Sequence, residues 1–149
     1  FSDSYWTSVQ GVGSMGGAGT PSNLYSLNAS TGATFTMGQT VTISANGGDF
    51  TGHLIGASSG TFSGFRSSAC DSKTVSHSST SVVTDGTQFT WTPESCESVN
   101  FRGLFHDDTT NQMYRTELLT LTCNGSAKLF ASFIFVLFSI WVSVSTASF

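Results

Sequence analysis

Positive charge is what this sequence has least of: five Lys and Arg residues are scattered over 149 positions, with no basic run, against nine Asp and Glu. Engaging a phosphate backbone requires a clustered cationic footprint, which sets nucleic acid aside as a partner. The histidines His53, His77 and His106 fall in none of the spacings that place imidazoles on one metal, and the three cysteines contain no Cys-x-x-Cys pair. No metal site is therefore expected. Of the local motifs that suggest chemistry, each lacks its companion. The glycines between Gly11 and Gly19 come without the Lys and the strand-to-helix context of a phosphate loop. Next, His77 lies between Ser76 and Ser78 without a nucleophile elbow. Asp3, Asp49, Asp71 and Asp85 fall in separate turns, so no carboxylate pair is set up for acid–base work. His106-Asp107-Asp108 reads as a solvated loop tip, because turns select Asp for its local hydrogen bonds. The expectation is a noncatalytic protein without a cofactor.

Helical periodicity is also scarce. Ser, Thr and Gly dominate the polar residues and Phe the aromatics, a composition suited to strands. The length fits one domain. Residues 1–24 are Gly-rich and do not alternate, so they read as a lead-in whose Tyr5 and Trp6 pack on the domain edge. From residue 25 to 123, short alternating bursts are separated by turn signals, the pattern of an antiparallel β-sandwich. Val41 and Ile43 face one way and Thr40, Thr42 and Ser44 the other, before a turn at Asn46-Gly47-Gly48. Residues 50–57 form a second strand carrying Leu54, and Gly60 to Phe65 repeats its Gly/Phe spacing. Val82-Val83 and Phe89 to Thr92 flank Asp85-Gly86, which suggests a tight hairpin, and Pro93 ends the strand. Phe89, Trp91, Val99, Phe101, Val41, Ile43 and Leu54 are expected to share one core.

The last hairpin is the best-defined unit. Val99, Phe101, Gly103 and Phe105 alternate against Asn100, Arg102 and Leu104, residues 106–112 form a polar loop, and Tyr114 to Thr122 returns as one strand. Cys96 and Cys123 lie just outside the two strands, about equally far from the loop's middle. Antiparallel pairing then brings them together at the open end, which predicts a Cys96–Cys123 disulfide. Cys70 is left as a buried thiol, a link to another chain, or one half of a bridge whose other half precedes this sequence.

Five segments in order, residues 36–43 (TMGQTVTI), 50–57 (FTGHLIGA), Gly60-Thr61-Phe62, Cys70 with Val75-Ser76-His77-Ser78, and 89–93 (FTWTP) leading to Val99-Asn100-Phe101-Arg102, resemble the reeler domain. That family occurs at the start of reelin and F-spondin and in insect defence proteins. The resemblance covers roughly Tyr25 to Cys123 and implies an immunoglobulin-like β-sandwich of a secreted or surface protein. It also implies two bridges, of which one matches Cys96 and Cys123 while the other leaves Cys70 without its partner. His53 stands where the family often has an aromatic residue.

Beyond the domain, residues 124–149 change character. Leu129 to Phe149 carries no charge and is long enough for a helix to cross a bilayer core. Small residues Asn124, Gly125 and Ser126 precede it, as in a glycosylphosphatidylinositol attachment signal. A retained transmembrane helix and a buried or assembly-forming segment are the alternatives. No charged segment leads into an apolar run at the N-terminus, so a secretory signal is expected to have been removed or to precede this sequence. Asn28-Ala29-Ser30 and Asn124-Gly125-Ser126 are N-glycosylation sequons in such a protein. The expectation is a recognition or adhesion module at the extracellular face of the plasma membrane, with an unidentified protein or glycan ligand. The alternatives are a self-assembling coat or filament subunit and, from the insect branch of the resemblance alone, a defence protein binding microbial polysaccharide.

Overall fold

A computed structural model describes residues 20–63 and 72–125. They form eleven strands: β1 (Thr20–Pro21), β2 (Ser26–Ala29), β3 (Thr34–Phe35), β4 (Val41–Asn46), β5 (Phe50–Ala57), β6 (Thr61–Ser63), β7 (Thr74–Val83), β8 (Gln88–Thr92), β9 (Val99–Asp107), β10 (Gln112–Arg115) and β11 (Leu119–Cys123). Two sheets result. One has four strands in the order β2-β4-β8-β6. In the other, β9 is central, flanked on one side by β5 and then β7, and on the other by β10 and β11, which carry β1 and β3 as short parallel additions. Alternation in β4 and β8 is strict: Val41, Ile43, Ala45, Phe89 and Trp91 are buried while the residues between them are not. These side chains meet Val99, Phe101, Phe105 and Ile55 of the larger sheet in one core, as expected for two half-buried sheets packed face to face.

Three local expectations are corrected. Leu54 does not join that core; it packs with Leu104 and Met113 in a separate small cluster, on the opposite face of the larger sheet. The cause is an irregularity between Phe50 and Gly52: from the Phe50–Val83 pair to the Gly52–Ser78 pair β5 advances two residues and β7 five, and the regular alternation of β5 is broken there. Phe50 points into the core, and so do His53 and Ile55, whereas Leu54 pairs with Leu104. Next, Val82-Val83 and Phe89 to Thr92 do not form a hairpin. β7 pairs with β5 and β8 with β4 and β6, so Asp85-Gly86 makes its turn, with Gly86 at φ 79°, while carrying the chain from one sheet to the other.

Finally, the strand from Tyr114 to Thr122 is broken at residues 116–118. Gln112 faces Asp107 and Leu119 faces Phe101, so the returning strand carries one residue more than β9 between those pairings. At the break the buried Thr116 hydroxyl accepts the Gly103 N–H at 3.0 Å, standing in for a ladder carbonyl, while the Thr116 N–H donates to the Gly103 carbonyl at 2.9 Å.

Candidate recognition surface

Register places the loops in two groups. Residues 22–25, 47–49, 84–87 and 108–111 lie at one end, hereafter the Asp49 end. The other end holds residues 30–33, 36–40, 58–60 and 93–98 together with the Cys96–Cys123 disulfide, whose Cα atoms are 5.1 Å apart. Gly60 belongs to this second group; at φ 83°, it lies so close to the Trp91 indole that any side chain there would collide.

Loops at the Asp49 end are braced against one another. The Asp85 carboxylate accepts the backbone N–H groups of Gly47 at 2.9 Å and Gly48 at 3.3 Å. In return, the Asp49 carboxylate accepts the Asp85 N–H at 3.1 Å. Gly47 is required here, because at φ 128° its Cα sits against the Leu24 carbonyl and leaves no room for a side chain. Tyr25 extends the brace: its hydroxyl donates to the Asp49 carbonyl at 3.1 Å, and its ring stacks on Phe105 at 5.0 Å and lies 6.0 Å from Tyr114. Burial pushes the Tyr25 phenol above its ordinary value of 10.0, and the nearby Asp107, Tyr114 and Asp49 add to the shift. The tip of the β9–β10 hairpin is closed by the Asp107 carboxylate, which accepts the Thr109 N–H at 2.8 Å and the hydroxyls of Thr109 and Thr110 at 2.6 and 3.0 Å. Asn111 completes the turn with φ 51°.

These bonds favour ionised carboxylates. Hydrogen bonds from Gly47 and Gly48 hold Asp85 below the ordinary 3.8, and those from the Thr109 hydroxyl and neighbouring donors do the same for Asp107. Because the folded values lie below the unfolded ones, the stabilisation is complete above the ordinary carboxylate range and is lost as pH falls through the folded values. We expect the exchange protection of the Gly47, Gly48 and Thr109 amides, each taken against the intrinsic rate at the same pH, to fall as the pH drops through the folded carboxylate values, before that of the β4 and β9 amides. Asp85→Asn should produce that loosening at neutral pH for the two glycines alone.

The candidates read from sequence separate at this stage. His106 and Asp107 diverge, as neighbours on a strand must. His106 places Nδ1 at 2.7 Å from the Thr51 hydroxyl and Nε2 at 3.2 Å from Asn111 Oδ1, whereas Asp107 caps its turn. Among the described residues, no three His, Cys, Asp or Glu side chains form a group that could hold a metal. His53 is buried in the core, 5.5 Å from the Phe50 ring and 5.0 Å from that of Phe89, so it fills an aromatic position. His77 faces His53 across the β5–β7 ladder, and its side chain lies outside the described residues. Asn28 is exposed on β2. Asn124 is exposed after β11, with its N–H on the Phe35 carbonyl at 2.7 Å and its amide 3.3 Å from the Thr34 hydroxyl. Cys70, Ser126, Asp3, Asp71, Tyr5, Trp6 and residues 129–149 lie outside the described residues. Within the described residues, no helix is long and apolar enough to cross a membrane. Reasoning from sequence missed the convergence of Asp49 and Asp85, which are 36 positions apart; only the Gly47-Gly48 and Asp85-Gly86 turn signals hinted at it.

No protein-family model matches the sequence, and no curated protein does. Solved structures do match. The Reelin-N domain of F-spondin superposes with a TM-score of 0.57 at 15% identity, covering 71% of this chain and 92% of that one. A structure of the human F-spondin reeler domain gives 0.57 at 14% identity, covering 71% and 95%, and a second gives 0.55 at 15% identity, covering 68% and 93%. The agreement spans nearly the whole of each neighbour, and with the two-sheet topology it establishes that residues of this chain adopt the reeler-domain fold.

Proposed function

We propose that this chain is a noncatalytic extracellular recognition or adhesion module, held at the cell surface by its C-terminal segment with the Asp49 end turned outward. The observation that carries this reading is the placement of the two ends. β11 runs toward the disulfide end, and Gly125 follows its last residue, Cys123, by two positions. Only Ser126, Ala127 and Lys128 separate Gly125 from the apolar run of residues 129–149. A membrane attachment in that run, or a lipid on Asn124, Gly125 or Ser126, therefore holds the disulfide end against the bilayer. The opposite loops project into the medium, braced as binding loops on a rigid scaffold are. The fold shared with reeler domains of F-spondin supports the extracellular setting.

Phosphatidylinositol-specific phospholipase applied to intact cells tests the attachment. Release of a product ending between Asn124 and Ser126 is expected; retention with residues 129–149 intact would assign a transmembrane helix instead. Recognition is tested by screening the ectodomain on a glycan array and a cell-surface panel. Replacing residues 108–111 by Gly and Ser should abolish any binding found, whereas the same replacement of residues 36–39 should not. The reverse pattern would place the site at the disulfide end.

A further inference from the structure

The outer face of the four-stranded sheet has an unusual make-up. β2 contributes Ser26 and Asn28, β4 Thr42, Ser44 and Asn46, β8 Gln88, Thr90 and Thr92, and β6 Thr61 and Ser63. Every one is an uncharged polar residue. Register aligns them in rows: Asn28, Ser44 and Gln88 lie side by side across three strands, and Thr42, Thr90 and Ser63 form the next such row. Asn28 begins the sequon Asn28-Ala29-Ser30, is exposed, and stands on β2, an edge strand whose outer side has no partner among the described residues.

We propose that Asn28 carries an N-linked glycan whose first sugars lie across this face and close the β2 edge. The proposal rests on the extracellular reading, since the modification requires passage through the secretory pathway. From Asn28 to Gln88 the row spans two strand spacings, about 10 Å, within reach of the first two sugars. Acetamido and hydroxyl groups meet hydroxyls and amides there, so no charge loses its hydration. Contacts of this kind are individually too weak to capture a free sugar, and among the described residues of these strands the outer face has no aromatic side chain for one to stack on. Covalent attachment supplies the effective concentration that makes weak contacts count. The edge supplies the need: an unpaired strand invites pairing with another chain, and proteins cover such edges. β2 bears no proline and no charged residue to deter pairing, so a bulky group at Asn28 is the guard available to it. The Ser30 hydroxyl accepts the Thr42 N–H at 3.1 Å in the folded domain; this does not obstruct the modification, which acts on the entering, unfolded chain.

The full chain, expressed in eukaryotic secretory cells, is examined by peptide mapping for a glycan at Asn28 and, in the same digest, for the Cys96–Cys123 bridge. A glycan is expected. A bridged protein with bare Asn28 overturns the proposal alone, while a protein with neither bridge nor glycan overturns the extracellular reading. The folded glycoprotein is then trimmed enzymatically to its first sugar and sedimented over a range of concentrations. The intact form should stay monomeric and the trimmed form associate, with Ser26→Lys, a charge placed on the same edge, returning the trimmed form to monomer. Indistinguishable sedimentation before and after trimming, or association that Ser26→Lys leaves unchanged, would sink the proposed guarding role.

Discussion

Trp91→Ala should lower stability by about 3 to 5 kcal/mol, enough to leave a domain of ordinary stability largely unfolded. Trp91 is completely buried, and its place in the core is what makes the loss so large. On β8 it pairs with Val41 on one side and Phe62 on the other. Its ring meets Phe35 edge-on at 5.4 Å and Phe101 at 5.0 Å, both from the opposite sheet. The indole thus joins the two sheets and touches two non-adjacent strands, β3 and β9, of the larger one. Its N–H donates to the Ser59 carbonyl at 3.0 Å, which fixes the β5–β6 turn. Truncation removes the ring, leaves a cavity that a β-sandwich cannot readily collapse, and strands that carbonyl. Trp91→Phe separates the contributions, since it keeps most of the packing and loses the hydrogen bond, worth about 1 kcal/mol. Urea unfolding followed by far-ultraviolet circular dichroism measures both. Equal losses for the two variants would mean that the hydrogen bond, and not the packing, holds this part of the core.

What could be read in advance depended on whether the signal was local. Val41, Ile43, Phe89, Trp91, Val99 and Phe101 alternate without interruption, and a period of two is a direct consequence of strand geometry, so their shared core was legible. The sandwich and its reeler-like order were legible for the same reason, because turns at Gly47-Gly48 and Asp85-Gly86 punctuate those runs. Leu54 was not, because the register irregularity between Phe50 and Gly52 breaks the alternation, and nothing in FTGHLIGA marks where it falls among its small residues. The break at Thr116 was equally hidden: a Thr in a strand is ordinary, and only the partner strand reveals that its hydroxyl replaces a carbonyl. Asp85-Gly86 was recognised as a turn but assigned to the wrong connection, since turn chemistry states the local backbone and not which sheet the next strand joins. The Asp49 end was least visible. The carboxylate braces of Asp49 and Asp85 link residues 36 to 38 positions apart, and no local pattern encodes such a meeting.

Removing the Cys96–Cys123 bridge, by Cys96→Ser with Cys123→Ser, should cost about 3 to 4 kcal/mol, the chain-entropy value for closing a loop of this length. The sequence separation is 27 residues, and the loop contains all of β9 and β10 and most of β11. The bridge therefore acts on the central strand of the larger sheet. Its local consequence is as specific as its size. β11 is held to β9 only from Leu119 to Leu121, and β3 is held to β11 only through Thr34 and Phe35. Without the bridge, the last strand is kept in place by those short ladders, the buried Leu121 side chain and the bonds of Thr120, Thr122 and Asn124 to Asn100, Ala33 and Phe35. Under the C-terminal attachment proposed above, a pull from the membrane would reach the domain at that strand. The disulfide passes such a load from Cys123 to Cys96 before β11 can peel away. Two measurements follow. Urea midpoints should fall while the denaturant slope rises, because the unfolded chain freed of its cross-link exposes more surface. Native-state hydrogen exchange should quicken first at residues 119–123 and at Thr34, with β4 and β8 responding only through global unfolding. Uniform acceleration across both sheets would show instead that the bridge stabilises the domain as a whole and gives its last strand no separate protection.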